Sequence, residues 1–177
     1  MNDHQQSHTA GKPPVSTVEQ EISRARMLFL GFGSVLGTDH CIQTALADYR
    51  QAIRTNRRLM RQMGVLRVCS CCARENDGGC CFHGMEEHVD RILLLINLLW
   101  GLQLPVERDL PDHCLFLGRQ GCKLLARYHF CVNYFCSDLK NRLHCSRWKA
   151  LQAGVGAELS AGWEAEHALL RWLQVQG

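Results

Sequence analysis

The chain is short of charge of either sign: 20 basic residues stand against 17 acidic ones, a formal net charge of +3. That balance is too even to mark a general nucleic-acid binder or a protein for acidic substrates, and no nucleic-acid partner is expected. Long apolar runs are also missing. The most apolar stretch, residues 92–100, falls short of the roughly 20 residues that cross a bilayer even when extended to Leu104, so it reads as a buried helix and no membrane partner is expected. The first 15 residues hold no basic segment leading into an apolar one. With Gly11, Lys12, Pro13 and Pro14 they read as a disordered lead without an export signal, which places the protein in a reducing cytoplasm. There is no serine, histidine and acid arrangement, no phosphate-binding glycine loop and no dinucleotide fingerprint, so nothing points to an ordinary hydrolase or kinase. Internal repeats and alternating strand patterns are lacking as well.

What remains is helical periodicity. At 177 residues and 46% hydrophobic content the chain supports one modest core. Ser16 and Glu19 have capping-box spacing, and a helix over 19–32 is expected to end at Gly31, Gly33 and Gly37. Thr38 or Asp39 offers the next N-cap. From Ile42 the positions Leu46, Tyr49, Ile53, Met60 and Met63 recur at helical steps, interrupted by Asn56 and stopped by Gly64. The opposite face, with Arg50, Arg54, Arg57, Arg58 and Arg61, reads as solvated. A third helix is expected over 86–102, with Glu86 and Glu87 favouring its first turn, and a last one over 157–175. The fold class is mainly α: a small helical domain with a loop-rich, cysteine- and metal-stapled centre. Its divisions are the lead at 1–15, a helical extension at 16–66, a cysteine domain at 67–146 and a C-terminal helix at 147–177 that packs on the core.

Against these shortages stands an abundance of cysteine, 11 in all, nine of them in two bursts flanking the apolar helix. The first burst holds Cys69, Cys71, Cys72, Cys80 and Cys81. The two-residue gap between Cys69 and Cys72 suits thiolates converging from a tight turn, and Gly78 and Gly79 let the backbone fold back with another pair. Cys69 and Cys71 are both candidates for the first ligand. The second burst holds Cys114, Cys122, Cys131 and Cys136, with gaps of seven, eight and four residues. Thiols this dense in polar, glycine-rich sequence are expected to bind metal, whereas Cys41 is expected in the core and Cys145 lies outside the pattern. His83, His88, His113 and His129 are expected at the surface or beside the ligands.

In order and spacing, Cys114-Leu115-Phe116-Leu117, Gly121-Cys122, Arg127, Cys131 and Cys136 resemble the later half of the YkgJ-type cysteine-cluster family, described as zinc- or iron-chelating domains. Leu115 and Tyr128 stand where that family has proline, and seven residues separate Cys72 from Cys80 where it has about two. The resemblance implies a metal-binding protein holding zinc or iron, or an iron–sulfur cluster, on Cys69, Cys72, Cys80, Cys81, Cys114, Cys122, Cys131 and Cys136. Sulfur ligands suit these metals and not magnesium or calcium. Two other readings stand beside it. One is an iron–sulfur enzyme that modifies proteins, because some relatives are linked to flagellin lysine methylation; the other is a disulfide-stapled interaction module.

Overall fold

The computed structural model describes residues 17–75 and 79–176, and of residues 72–75, 79 and 138 the backbone alone. The expected lead at 1–15 and the cap at Ser16 lie outside the described residues. Within them the protein is mainly α, with seven α-helices and one two-stranded hairpin.

Helix α1 (Val18–Leu36) starts one residue before the expected Glu19. Thr17 caps it, its hydroxyl accepting from the backbone N–H of Gln20 while the Gln20 side chain accepts from that of Thr17. Gly31 and Gly33 do not end the helix but lie inside it, and the chain turns only at Gly37. Each interior glycine costs about 1 kcal/mol, and complete burial of Leu36 at the far end offsets part of that.

Helix α2 (His40–Gln62) is capped by Asp39, which accepts from the Ile42 N–H at 3.0 Å. Ile42, Leu46, Tyr49, Ile53, Asn56 and Met60 form its buried stripe. Cys41, one position off that stripe and so turned about 100° from it, is exposed and not in the core. Gly64, at φ 75°, breaks the helix before α3 (Val65–Glu75).

The apolar helix α4 (Arg91–Leu99) is shorter than expected. Asp90 caps it with one carboxylate oxygen accepting from the Ile92 and Leu93 N–H groups. Glu86 and Glu87 therefore do not occupy its first turn. They lie in a separate 3₁₀ turn, Met85–His88, cut off from α4 by the extended Val89. Glu86 is fully buried and paired with Arg108, and Glu87 accepts from the Val18 N–H at the start of α1.

After α4 come the hairpin strands β1 (Leu117–Gly118) and β2 (Gly121–Cys122), antiparallel with Leu117 opposite Cys122, then the short helices α5 (His129–Asn133) and α6 (Ser137–Arg142). Helix α7 (Cys145–Gln176) starts a dozen residues before its expected beginning and runs for 32 residues.

Two helix pairs organise the fold: α1 packs on α4, and α2 on α7. The larger apolar core joins α1, α2, α4 and the distal half of α7 with Leu115, Phe116 and Leu117. A smaller core gathers Met60, Val65, Val132, Phe135, Leu139, Leu151 and Val155 around the end of α2 and the start of α7. Glycines set the distance between α2 and α7. A Cβ on Gly154 would stand 3.0 Å from Leu59, and one on Gly162 would stand 3.0 Å from the Tyr49 ring. Gly156 meets nothing within 4 Å. Replacing Gly162 with Leu is expected to force the pair apart and lower stability by about 1–3 kcal/mol. Gly156→Ala should raise it by about 0.5–1 kcal/mol through helix propensity alone. Urea midpoints of the two variants measure both signs.

Candidate thiol centre

The two cysteine bursts meet because backbone pairing brings them side by side. Cys80 and Cys81 sit in a 3₁₀ turn, Gly79–Cys81, and the Cys81 carbonyl accepts from the Cys114 N–H at 2.9 Å. An isolated bridge joins Phe82 to His113 directly beyond. The hairpin then turns back through Gly121, whose φ of 109° suits glycine, and delivers Cys122 at the end of β2.

The next segment is held by one fully buried side chain. Asn97 of α4 donates to the carbonyls of Leu93 and Ala126 at 2.8 and 2.9 Å, and its Oδ1 accepts from the Leu125 and Ala126 N–H groups at 2.8 and 3.2 Å. Every donor and acceptor of the amide is used, so residues 124–126 are locked to the apolar helix. Arg127 and α5 follow at once, the latter carrying Cys131.

As a result Cys69, Cys80, Cys81, Cys122 and Cys131 line one cavity of about 290 Å³ where the two apolar cores meet. Arg57, Arg61 and Arg127 line it with them. Of the other expected ligands, Cys114 is buried and linked through its backbone to Cys81, without lining the cavity. Cys136 caps α6 and packs on the smaller core. Cys72 has only its backbone described. Cys69 and Cys72 lie on helix α3 rather than in a tight turn, so their convergence would rest on helical i, i+3 spacing. Of the two candidates for the first ligand, Cys69 faces the cavity and Cys71 is exposed away from it.

The arginines are the part that the sequence reading missed. Arg54 and Arg58 are exposed, as a solvated face requires, but Arg57 is half-buried and donates to the Leu124 carbonyl at 3.0 Å. Their helical spacing was legible; that the hairpin would fold onto that face was not. Arg127 pairs at 3.5 Å with Glu158 of α7, a fully buried carboxylate that also accepts from Asn56 of α2 at 2.6 Å. Arg127 Nε and Nη2 are buried without a hydrogen-bond acceptor among the described residues.

Cys80, Cys81, Cys114, Cys122 and Cys131 form no disulfide. A hydrogen bond from the Cys81 thiol draws Cys80 below the ordinary thiol range against the effect of burial, with Arg127 adding to the pull; Cys81 is correspondingly raised. Burial pushes Cys114 and Cys131 up to about 12. Cys122 keeps solvent access on one side, yet protein atoms crowd its sulfur and push it up too, while Arg127 and Arg57 oppose the shift. The site thus presents one sulfur, Cys80, drawn toward ionisation beside Cys81, Cys122 and Cys131, whose thiols are raised. Among the described residues no three His, Cys, Asp or Glu side chains are already gathered at ion-holding distance.

No protein-family model, curated protein or solved structure matches the chain. No helix among the described residues is long and apolar enough to cross a membrane.

On another side of Arg127 lies a second cavity, of about 550 Å³, where Glu166 of α7 approaches Asp90 at the α4 cap. Burial, reinforced by the Asp90 charge and opposed by His167, pushes the Glu166 carboxyl up to about 7 from 4.5. The fold therefore binds its proton more tightly than the unfolded chain does. Stability from this group is complete below about pH 4.5 and is lost as pH rises through 7. Glu166→Gln is expected to escape that loss: its melting temperature should match the parent near pH 4 and exceed it at pH 8. After discounting for the solvent access of the side chain, the gain is about 1 kcal/mol. Asn97→Leu should do the opposite at every pH, costing about 2–4 kcal/mol by stranding the Leu125 and Ala126 N–H groups and the Ala126 carbonyl, as chemical denaturation would show.

Proposed function

We propose that the protein binds a thiophilic metal, zinc or iron, in the cavity shared by Cys69, Cys80, Cys81, Cys122 and Cys131. The observation that carries this reading is that α3, the 3₁₀ turn, the hairpin and α5 each send sulfur to one cavity beneath three arginines. Such a donor set suits the group. Thiolates select zinc, copper(I) or iron–sulfur clusters over oxygen-seeking cations, and four suffice for a tetrahedral ion. Binding ionises the thiols, which leaves a negatively charged sulfur shell, and Arg57, Arg61 and the unsatisfied donors of Arg127 are placed to balance it. Because the described side chains stand apart from ion-holding distance, the thiols close in when the ion arrives. The likeness of 114–136 to the YkgJ-type pattern supports the same chemistry, with Cys114 next to the cavity through Cys81. The ion would tie α3 to the hairpin and α5, and so would add to stability as well as to function.

Protein purified without oxygen is expected to carry zinc or iron at one or more per chain by elemental analysis. A colourless preparation identifies zinc; brown colour with visible absorption identifies an iron–sulfur cluster. Cys122→Ser/Cys131→Ser should lose the metal and several degrees of melting temperature, whereas Cys41→Ser/Cys145→Ser should keep both. Metal-free parent protein that takes up neither ion would overturn the reading.

A further inference from the structure

The overall charge of +3 is an average over unlike parts of the chain. Residues 49–74 hold seven arginines, no lysine and no acidic residue, and residues 139–157 hold four basic residues and again no acid. Both segments build the smaller core, to which they give Met60, Val65, Leu139, Leu151 and Val155. Eleven of the 20 basic residues lie in these two segments and all 17 acidic residues lie outside them, so the even balance of the whole chain conceals a basic part.

On α2 the arginines form a ridge. At 100° per residue Arg50, Arg54, Arg57, Arg58 and Arg61 fall within an arc of about 100°, spread over roughly 16 Å of helix. Two of them are engaged: Arg50 lies over the Trp100 ring, 5.9 Å from its centre, and Arg57 donates to the Leu124 carbonyl. Arg54, Arg58 and Arg61 are exposed and enter no ion pair among the described residues. They stand about one turn apart, a step comparable with that between phosphates of an extended strand. A guanidinium meets phosphate through paired N–H donors, where lysine offers only a point charge.

The ridge leads to a pair of exposed rings. Arg61 lines the thiol cavity together with Tyr134 of α5, and Tyr134 stands beside Phe130 with ring centres 5.0 Å apart and planes at 31°. Phe130 is 37% and Tyr134 44% exposed while Val132 between them is buried, so this short helix turns two aromatic side chains toward solvent. No large apolar side chain of α2 is exposed, which leaves the ridge without the wedge that a membrane-binding helix sinks into acyl chains. An acidic protein would satisfy the arginines but not the rings. Phosphates and bases together satisfy both.

We propose that this surface binds a single-stranded nucleic acid, its phosphates along Arg54, Arg58 and Arg61 and its bases against Tyr134 and Phe130. Arg54, Arg58 and Phe130 do not line the thiol cavity, so this site and the metal reading succeed or fail separately.

The test titrates the full-length protein into a fluorescein-labelled oligouridylate of about 12 nucleotides and follows anisotropy between about 50 and 200 mM salt. Saturable binding is expected, with the logarithm of the binding constant falling against that of salt at a slope of about −2, the value for three neutralised phosphates. Arg54→Gln/Arg58→Gln should weaken binding about tenfold or more and flatten the slope to about −0.7, with urea midpoint and metal content unchanged. Tyr134→Ala should weaken binding about tenfold at the parent's slope, and Tyr134→Phe should keep the affinity. No saturable binding, an affinity undiminished in the double arginine variant or in Tyr134→Ala, or equal affinity for a duplex of the same length, for phosphatidylserine vesicles or for polyglutamate would each overturn the proposal.

Discussion

Glu158 is the constraint on which the structure turns. It is a carboxylate with no solvent access in the middle of α7, and a charge so placed is tolerable only when its partners are present. Asn56 reaches it from α2 and Arg127 reaches it from the loop that precedes α5. The chain Asn56–Glu158–Arg127 therefore closes the longest helix pair and at the same time fixes the one loop that separates the two cavities. Removing either partner would leave a buried group exposed to a low dielectric, which penalises every arrangement other than the native one.

A second polar anchor works with it. Asn97 holds residues 124–126 against α4, and Glu158 holds Arg127 against α7. Between them the loop has no freedom to drift, and the side chains that it carries inherit that rigidity. Cys122 lies just before this doubly tethered segment and Cys131 just after it, so two of the five thiols at the cavity are positioned by hydrogen bonds made in the apolar core.

Arg127 gives the two cavities a common wall. Its guanidinium pairs with Glu158 and lines both cavities.

Much of the fold was legible from periodicity. The stripe Ile42, Leu46, Tyr49, Ile53 and Met60 and the stop at Gly64 identified α2 nearly to its ends, and the run through Leu95 identified a buried helix. Local chemistry also showed that cysteines dominate the centre. Boundaries were less readable. Gly31 and Gly33 look like terminators yet lie within α1, and Glu86 and Glu87 look like helix-opening acids yet serve Arg108 and Val18. In both cases partners distant in sequence outweigh local preference, whose scale is only about 1 kcal/mol per residue. Spacing along the chain determined the helices and the supply of sulfur. Only tertiary structure decided that Cys69 and not Cys71 faces the cavity, that Cys136 stays apart, and that Arg57, Arg61 and Arg127 join the thiols. Those outcomes depend on which surfaces meet across α2, α7 and the hairpin, and contact between segments dozens of residues apart leaves no periodic trace in the sequence.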